Sequence, residues 1–72
     1  MNKYKLEAVM KLNQDTGQTL SDYLGIARQT FSNKINKTRG AEFTQNEICL
    51  IKERYHLSAN DIDEIFFDSA VS

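Results

Sequence analysis

Leu20-Ser21-Asp22-Tyr23-Leu24-Gly25-Ile26-Ala27-Arg28-Gln29-Thr30-Phe31-Ser32-Asn33-Lys34-Ile35-Asn36 decides the fold, because in it two short amphipathic segments meet at one glycine. Leu20, Tyr23 and Leu24 fall at i, i+3 and i+4 and so share one face of a first helix. Phe31 and Ile35 do the same on a second. Between them Gly25 stands where the chain must turn sharply, and glycine enters the left-handed region without steric penalty. Ile26 is placed to plug the angle between the helices, and Ser21 is small where they should cross closely. The stretch reads as a helix-turn-helix. The outer face of its second helix is left with Arg28, Gln29, Ser32 and Asn33.

The rest of the chain extends this into an all-α domain of five helices. With 72 residues it forms one small domain, near the size at which burial only just offsets chain entropy. There is no Pro, and β-branched residues do not alternate with polar ones, so no strand pattern competes. A first helix is expected over about 3–13 with Leu6, Val9 and Met10 inward, stopped by Asp15-Thr16-Gly17. Thr19 is expected to cap the second, with Asp22 three residues on, and the third runs over about 28–37. A polar loop over 37–42 precedes the clearest helix start: Phe43 as staple, Thr44 as N-cap, Glu47 at N3 and Ile48 at N4. That fourth helix buries Ile48, Ile51 and Tyr55. Ser58 caps the fifth, Leu57 staples onto Ile62, and Ile62, Ile65 and Phe66 point inward.

Composition excludes several classes of function. The segment Met1-Asn2-Lys3-Tyr4-Lys5 lacks the apolar core of a signal peptide, and no apolar run is long enough to cross a bilayer, so a cytoplasmic location without membrane contact is expected. One cysteine, Cys49, makes no internal disulfide, and with a single histidine, His56, there is no metal-ligand set. Cys49 is expected to be a partly buried small hydrophobe, His56 to end the fourth helix, and Tyr4, Tyr23 and Tyr55 to pack with wet hydroxyls. Catalysis is not expected either: Ser21 near Asp22 and a distant His56 lack a third orienting group, and no cofactor or small-molecule substrate is implied.

Charge divides the chain. Residues 1–40 carry seven cations and three acids, a net of +4, whereas residues 41–72 carry two cations and seven acids, a net of −5. Within 25–40 lie Arg28, Lys34, Lys37 and Arg39 and no acid. One half is therefore expected to attract phosphate, while the other orients the protein on DNA or docks on a basic protein. An ordinary solvated face is the competing reading of the four cations.

The five helices, with Leu24-Gly25-Ile26 before a polar helix and the capped start Phe43-Thr44-Gln45-Asn46-Glu47-Ile48, resemble the Cro/C1-type helix-turn-helix family of phage regulators over roughly 3–66. The stretch Arg28 to Asn36 and the ending Asp63-Glu64-Ile65-Phe66-Phe67 look like small switch proteins of temperate phages of Gram-positive bacteria, including modulators of repression. The resemblance implies a lambda-repressor-like domain that reads double-stranded operator DNA through its third helix in the host cytoplasm. Arg28, Gln29, Ser32 and Asn33 would touch base edges, where Arg suits guanine and Gln or Asn suits adenine. Gln18, Thr19, Lys34, Lys37 and Arg39 would serve phosphates. The cognate phage repressor is the implied protein partner. Two departures stand out: Ala27 lacks a capping hydroxyl, and Lys37 replaces a glycine that often closes the third helix in this family.

Phe67 and Val71 have no evident internal place once the fifth helix has filled the core. They mark a homodimer contact, or a tail that folds back over Leu57 or stays disordered. Asp61 and Glu64 add an acidic patch beside them, suited to a protein partner. Two functions therefore compete: a transcriptional regulator that reads an operator, alone or with a repressor, and an anti-repressor that covers the repressor's DNA-binding domain.

Overall fold

The structure, a computed structural model, describes residues 1–67 apart from the side chain of Arg39. Among the described residues there are five α-helices and no strand: α1 (Lys3–Leu12), α2 (Gly17–Leu24), α3 (Arg28–Ile35), α4 (Gln45–Tyr55) and α5 (Ala59–Phe66). A single 3-10 turn, Thr38–Gly40, lies between α3 and α4 where a loop is expected. The all-α class read from the sequence is therefore the observed one.

Local chemistry fixes most of the boundaries. Thr44 and Ser58 start α4 and α5 through reciprocal capping boxes with Glu47 and Asp61, as their spacing predicts. The start of α2 differs: Thr16 is the N-cap, and Thr19 occupies N3 and closes the box with its own hydroxyl. Two threonines spaced for reciprocal bonding begin the helix one turn earlier than a Thr19 cap would. α3 stops at Ile35 instead of Lys37, because Lys37 takes a left-handed φ of 52°. At Gly25, φ is 75° and the turn bonds in the Schellman pattern, Ile26 N–H to Ser21 C=O at 3.0 Å and Gly25 N–H to Asp22 C=O at 3.2 Å. Gln14 and His56 close α1 and α4 in the same way with φ of 60° and 53°, although neither is glycine.

The core joins all five helices through Leu6, Met10, Leu20, Phe31, Ile35, Ile51, Tyr55 and Ile65. Phe43 links two helices by edge-to-face contacts, with ring centroids 5.8 Å from Phe31 and 5.7 Å from Phe66. Leu24, Ile26, Leu57 and Phe66 pack partly buried against this cluster, as expected. Ser21 is fully buried, and its hydroxyl donates to the Gln18 carbonyl at 2.9 Å, so the close approach beside α2 leaves no polar atom unsatisfied. Tyr23 departs from its expected inward face: it is exposed, with the Arg54 guanidinium 4.6 Å from its ring centre. Cys49 is exposed too, on the solvent side of α4. α2 packs chiefly on α3, while α1 and α4 pack on α5. The Cα radius of gyration is 11.3 Å, matching the roughly 11 Å of a globule of this length.

Candidate nucleic-acid interface

α3 is anchored by Phe31 and Ile35, both buried, and this fixes which of its residues face outward. Arg28 and Gln29 are exposed, while Ser32 and Asn33 are half-buried. Gln29 Nε2 donates to Asn33 Oδ1 at 3.1 Å, an i, i+4 amide pair that leaves the Gln29 oxygen and the Asn33 amino group uncommitted by that bond. Ser32 is engaged from the next turn, where Asn36 Nδ2 donates to its carbonyl at 3.0 Å. The Arg28 guanidinium lies 5.9 Å from the Phe31 ring centre. α3 thus brings together the four residues that the sequence singles out for base edges.

The residues singled out for phosphates do not form one set. Lys34 Nζ is 2.6 Å from Glu47 Oε1, and the two side chains are only 13% and 9% exposed, so this lysine is a structural ion pair joining α3 to α4. Burial favours the neutral form of Glu47, yet Lys34 and the capping contact from Thr44 outweigh it and hold the carboxyl below its ordinary range. Lys37 Nζ lies 3.6 Å from Glu42 Oε1 in an open surface pair. At the start of α2, Gln18 Nε2 donates to Asp22 Oδ1 at 2.9 Å, and the Thr19 hydroxyl donates to Asp15 Oδ1 at 2.9 Å. Only Arg28 among the described cations of 25–40 has no carboxylate partner.

The acids singled out as a partner surface are internally matched. Lys5 bridges Asp61, at 3.4 Å, and Glu64, tying α1 to α5. The lysine's hydrogen bond with Glu64 raises its pKa, and the same contact lowers that of Glu64. Asp61 is lowered first by its capping bond from Ser58. Phe67 remains 53% exposed at the end of α5. Val71 lies outside the described residues.

One polar centre has no forerunner in the sequence reading. Asp15 Oδ2 and Oδ1 each accept at 2.8 Å from Arg54, and Tyr55 O–H donates to Oδ2 at 2.5 Å. The Tyr55 hydroxyl is therefore bonded inside the protein instead of wet. Arg54 foremost, then Tyr55 and Thr19, hold the Asp15 carboxyl far below its usual range, while burial and the adjacent carboxylate push the Tyr55 phenol up. Asp15 reads only as a helix stop, and nothing local pairs it with residues 39 and 40 positions away.

A hollow of about 520 Å³ between the start of α1 and the end of α3 is lined by Met1, Asn2, Lys3, Tyr4, Ile35, Asn36 and Lys37, without a carboxylate, histidine or thiol. Among the described residues no group of three metal-ligating side chains comes together, and no helix is long and apolar enough to cross a membrane. No protein-family model, curated protein or solved structure matches the chain.

Proposed function

We propose that this protein is a small helix-turn-helix regulator of the lambda-repressor-like, Cro type that reads operator DNA through α3 and takes part in a phage genetic switch in the host cytoplasm. The observation that carries the reading is α3, whose first turn carries the Arg28 guanidinium and whose outward face offers the amides of Gln29 and Asn33 over a buried Phe31–Ile35 anchor, with no acid from residue 25 to residue 40. An α-helix fits the major groove, and these side-chain types match guanine and adenine edges there. Lys37 and Arg39 follow α3 directly in sequence and would serve backbone phosphates, whereas Lys34 is withdrawn by Glu47.

A second reading, an anti-repressor seated on the cognate repressor's DNA-binding domain, draws support from the pairing of Lys34 and Lys37 and from the exposed Phe67. Few free cations suit a protein surface better than a duplex. Selection from a random duplex pool at low salt, with the protein alone and then with the repressor, separates the two. Enrichment of an inverted repeat by the protein alone supports a dimeric operator reader, and sedimentation of Phe67→Asp then tests whether Phe67 forms the dimer. Loss of the repressor's own site on addition of this protein supports the anti-repressor.

A further inference from the structure

Gly17, the first residue of α2, is covered by a side chain from α3. A Cβ at Gly17 would stand 2.7 Å from Arg28 Cζ and 2.8 Å from Nε and Nη2, closer than nonbonded carbon and nitrogen atoms approach. No other atom of the guanidinium's surroundings competes for this place through charge, since Arg28 forms no ion pair among the described residues. Its ring contact with Phe31, at 5.9 Å, comes from its own helix. The place that the Arg28 guanidinium occupies is thus open only because Gly17 has no side chain. Pointed that way, the guanidinium lies against Gly17 at the start of α2, while Gln29 and Asn33 form their amide pair on α3.

We infer that Gly17 is a positioning residue for Arg28, and that Arg28 so held grips a phosphate of the DNA backbone instead of reading a base edge. This rests on the DNA-reading function proposed above and narrows base recognition to Gln29 and Asn33, with Ser32 beside them. A guanidinium is suited to the task, because its planar fork binds phosphate oxygens bidentately. Gly17 has an ordinary helical backbone without positive φ, and the atoms a Cβ would meet are the tip of a flexible side chain. Gly17→Ala therefore displaces the guanidinium without unfolding the domain.

The test uses the full chain, the duplex it enriches most from a random pool, and single-base variants of that duplex. Gly17→Ala and Arg28→Ala should each weaken binding about tenfold, equally on every duplex, and the double variant should be no weaker than Arg28→Ala. Both should make the slope of log affinity on log salt shallower by about 0.9, the loss of one phosphate contact. Gln29→Ala should instead relax the preference at one base pair. Thermal midpoints of the two single variants and the double variant should stay at or above the wild-type value, which excludes unfolding as the cause. Unchanged affinity in Gly17→Ala, an additive double variant, or loss of base preference in Arg28→Ala overturns the inference while leaving the DNA-reading function standing. Failure of the wild-type chain to enrich any duplex overturns both.

Discussion

At the scale of single residues, Asp15 holds more of the fold than its place in a turn suggests. Its side chain is 8% exposed and takes bonds from Arg54, Tyr55 and Thr19, so it joins the α1–α2 connection to the end of α4. Removing one partner of a buried ion pair costs roughly 3–5 kcal/mol, and of an exposed pair about 0–1. Arg54, 30% exposed, can be rehydrated in part, which puts Asp15→Ala near ~2–3 kcal/mol. In a domain of this length such a loss lowers the thermal midpoint by more than about 8 °C. The pH dependence has a fixed sign. The folded pKa of Asp15 lies below the unfolded value, so its contribution is complete above about pH 4 and drains away as acid approaches the folded value. Glu47 shifts in the same direction. Denaturation from pH 7 down to about pH 2.5 should therefore show a steep loss of stability in the wild type and a shallower one in Asp15→Asn. Equal slopes would mean that Asp15 does not drive the acid transition.

At the scale of elements, the sequence was legible wherever one local rule decided the outcome. Thr44 with Glu47, Ser58 with Asp61, and Gly25 each announce a helix end through bonds made within a few residues. Spacing at i, i+3 and i+4 found Phe31, Ile35, Ile51 and Ile65 for the same reason. It missed what depends on distant partners: Tyr23 turns outward because Arg54 lies over its ring, and Lys34 leaves the phosphate set because α4 brings Glu47 beneath it. His56 ends α4 as expected, but it and Gln14 close their helices in the left-handed region without glycine, and no sequence signal marked that geometry. The outer residues of α3 were legible, since Phe31 and Ile35 fix the buried side and leave the rest outside. The weakest helix start is that of α3. Ala27 has the extended backbone of an N-cap, φ −68° and ψ 151°, but no side-chain acceptor. Ala27→Ser should supply one and stabilise the domain by about 1 kcal/mol, seen as a higher denaturant midpoint with unchanged m-value. Ala27→Asp should stabilise similarly but weaken DNA binding, because it sets a negative charge next to Arg28. A variant pair with equal affinities would place the DNA away from this end of α3.

At the scale of the whole molecule, the division into a basic and an acidic half is largely consumed by folding. The ion pairs of Lys5 with Asp61 and Glu64, Lys34 with Glu47, Lys37 with Glu42, and Arg54 with Asp15 all join the two. The opposed charges draw the halves together instead of dividing the surface into one face that attracts phosphate and one that repels it. What remains beside α3 for a polyanion is Arg28 and Lys3, whose ammonium donates to Asn36 Oδ1 at 2.9 Å, with Lys37 shared with Glu42 and Arg39 following in sequence. At about 0.9 per neutralised phosphate, log affinity should fall with log salt at a slope of roughly −3 to −4, shallow for a DNA-binding protein. Glu42→Gln isolates the electrostatic part of this argument. The Lys37–Glu42 side chains are 48% and 71% exposed, and such surface pairs contribute only about 0–1 kcal/mol to stability. Freed of its partner, Lys37 should meet phosphate without first giving up an ion pair. Fluorescence anisotropy on the selected duplex should then show tighter binding at low salt and a slope steeper by up to about 0.9. A slope that does not move would place Lys37 off the DNA and leave the residues ahead of it on α3, with Arg28 foremost, to hold the duplex.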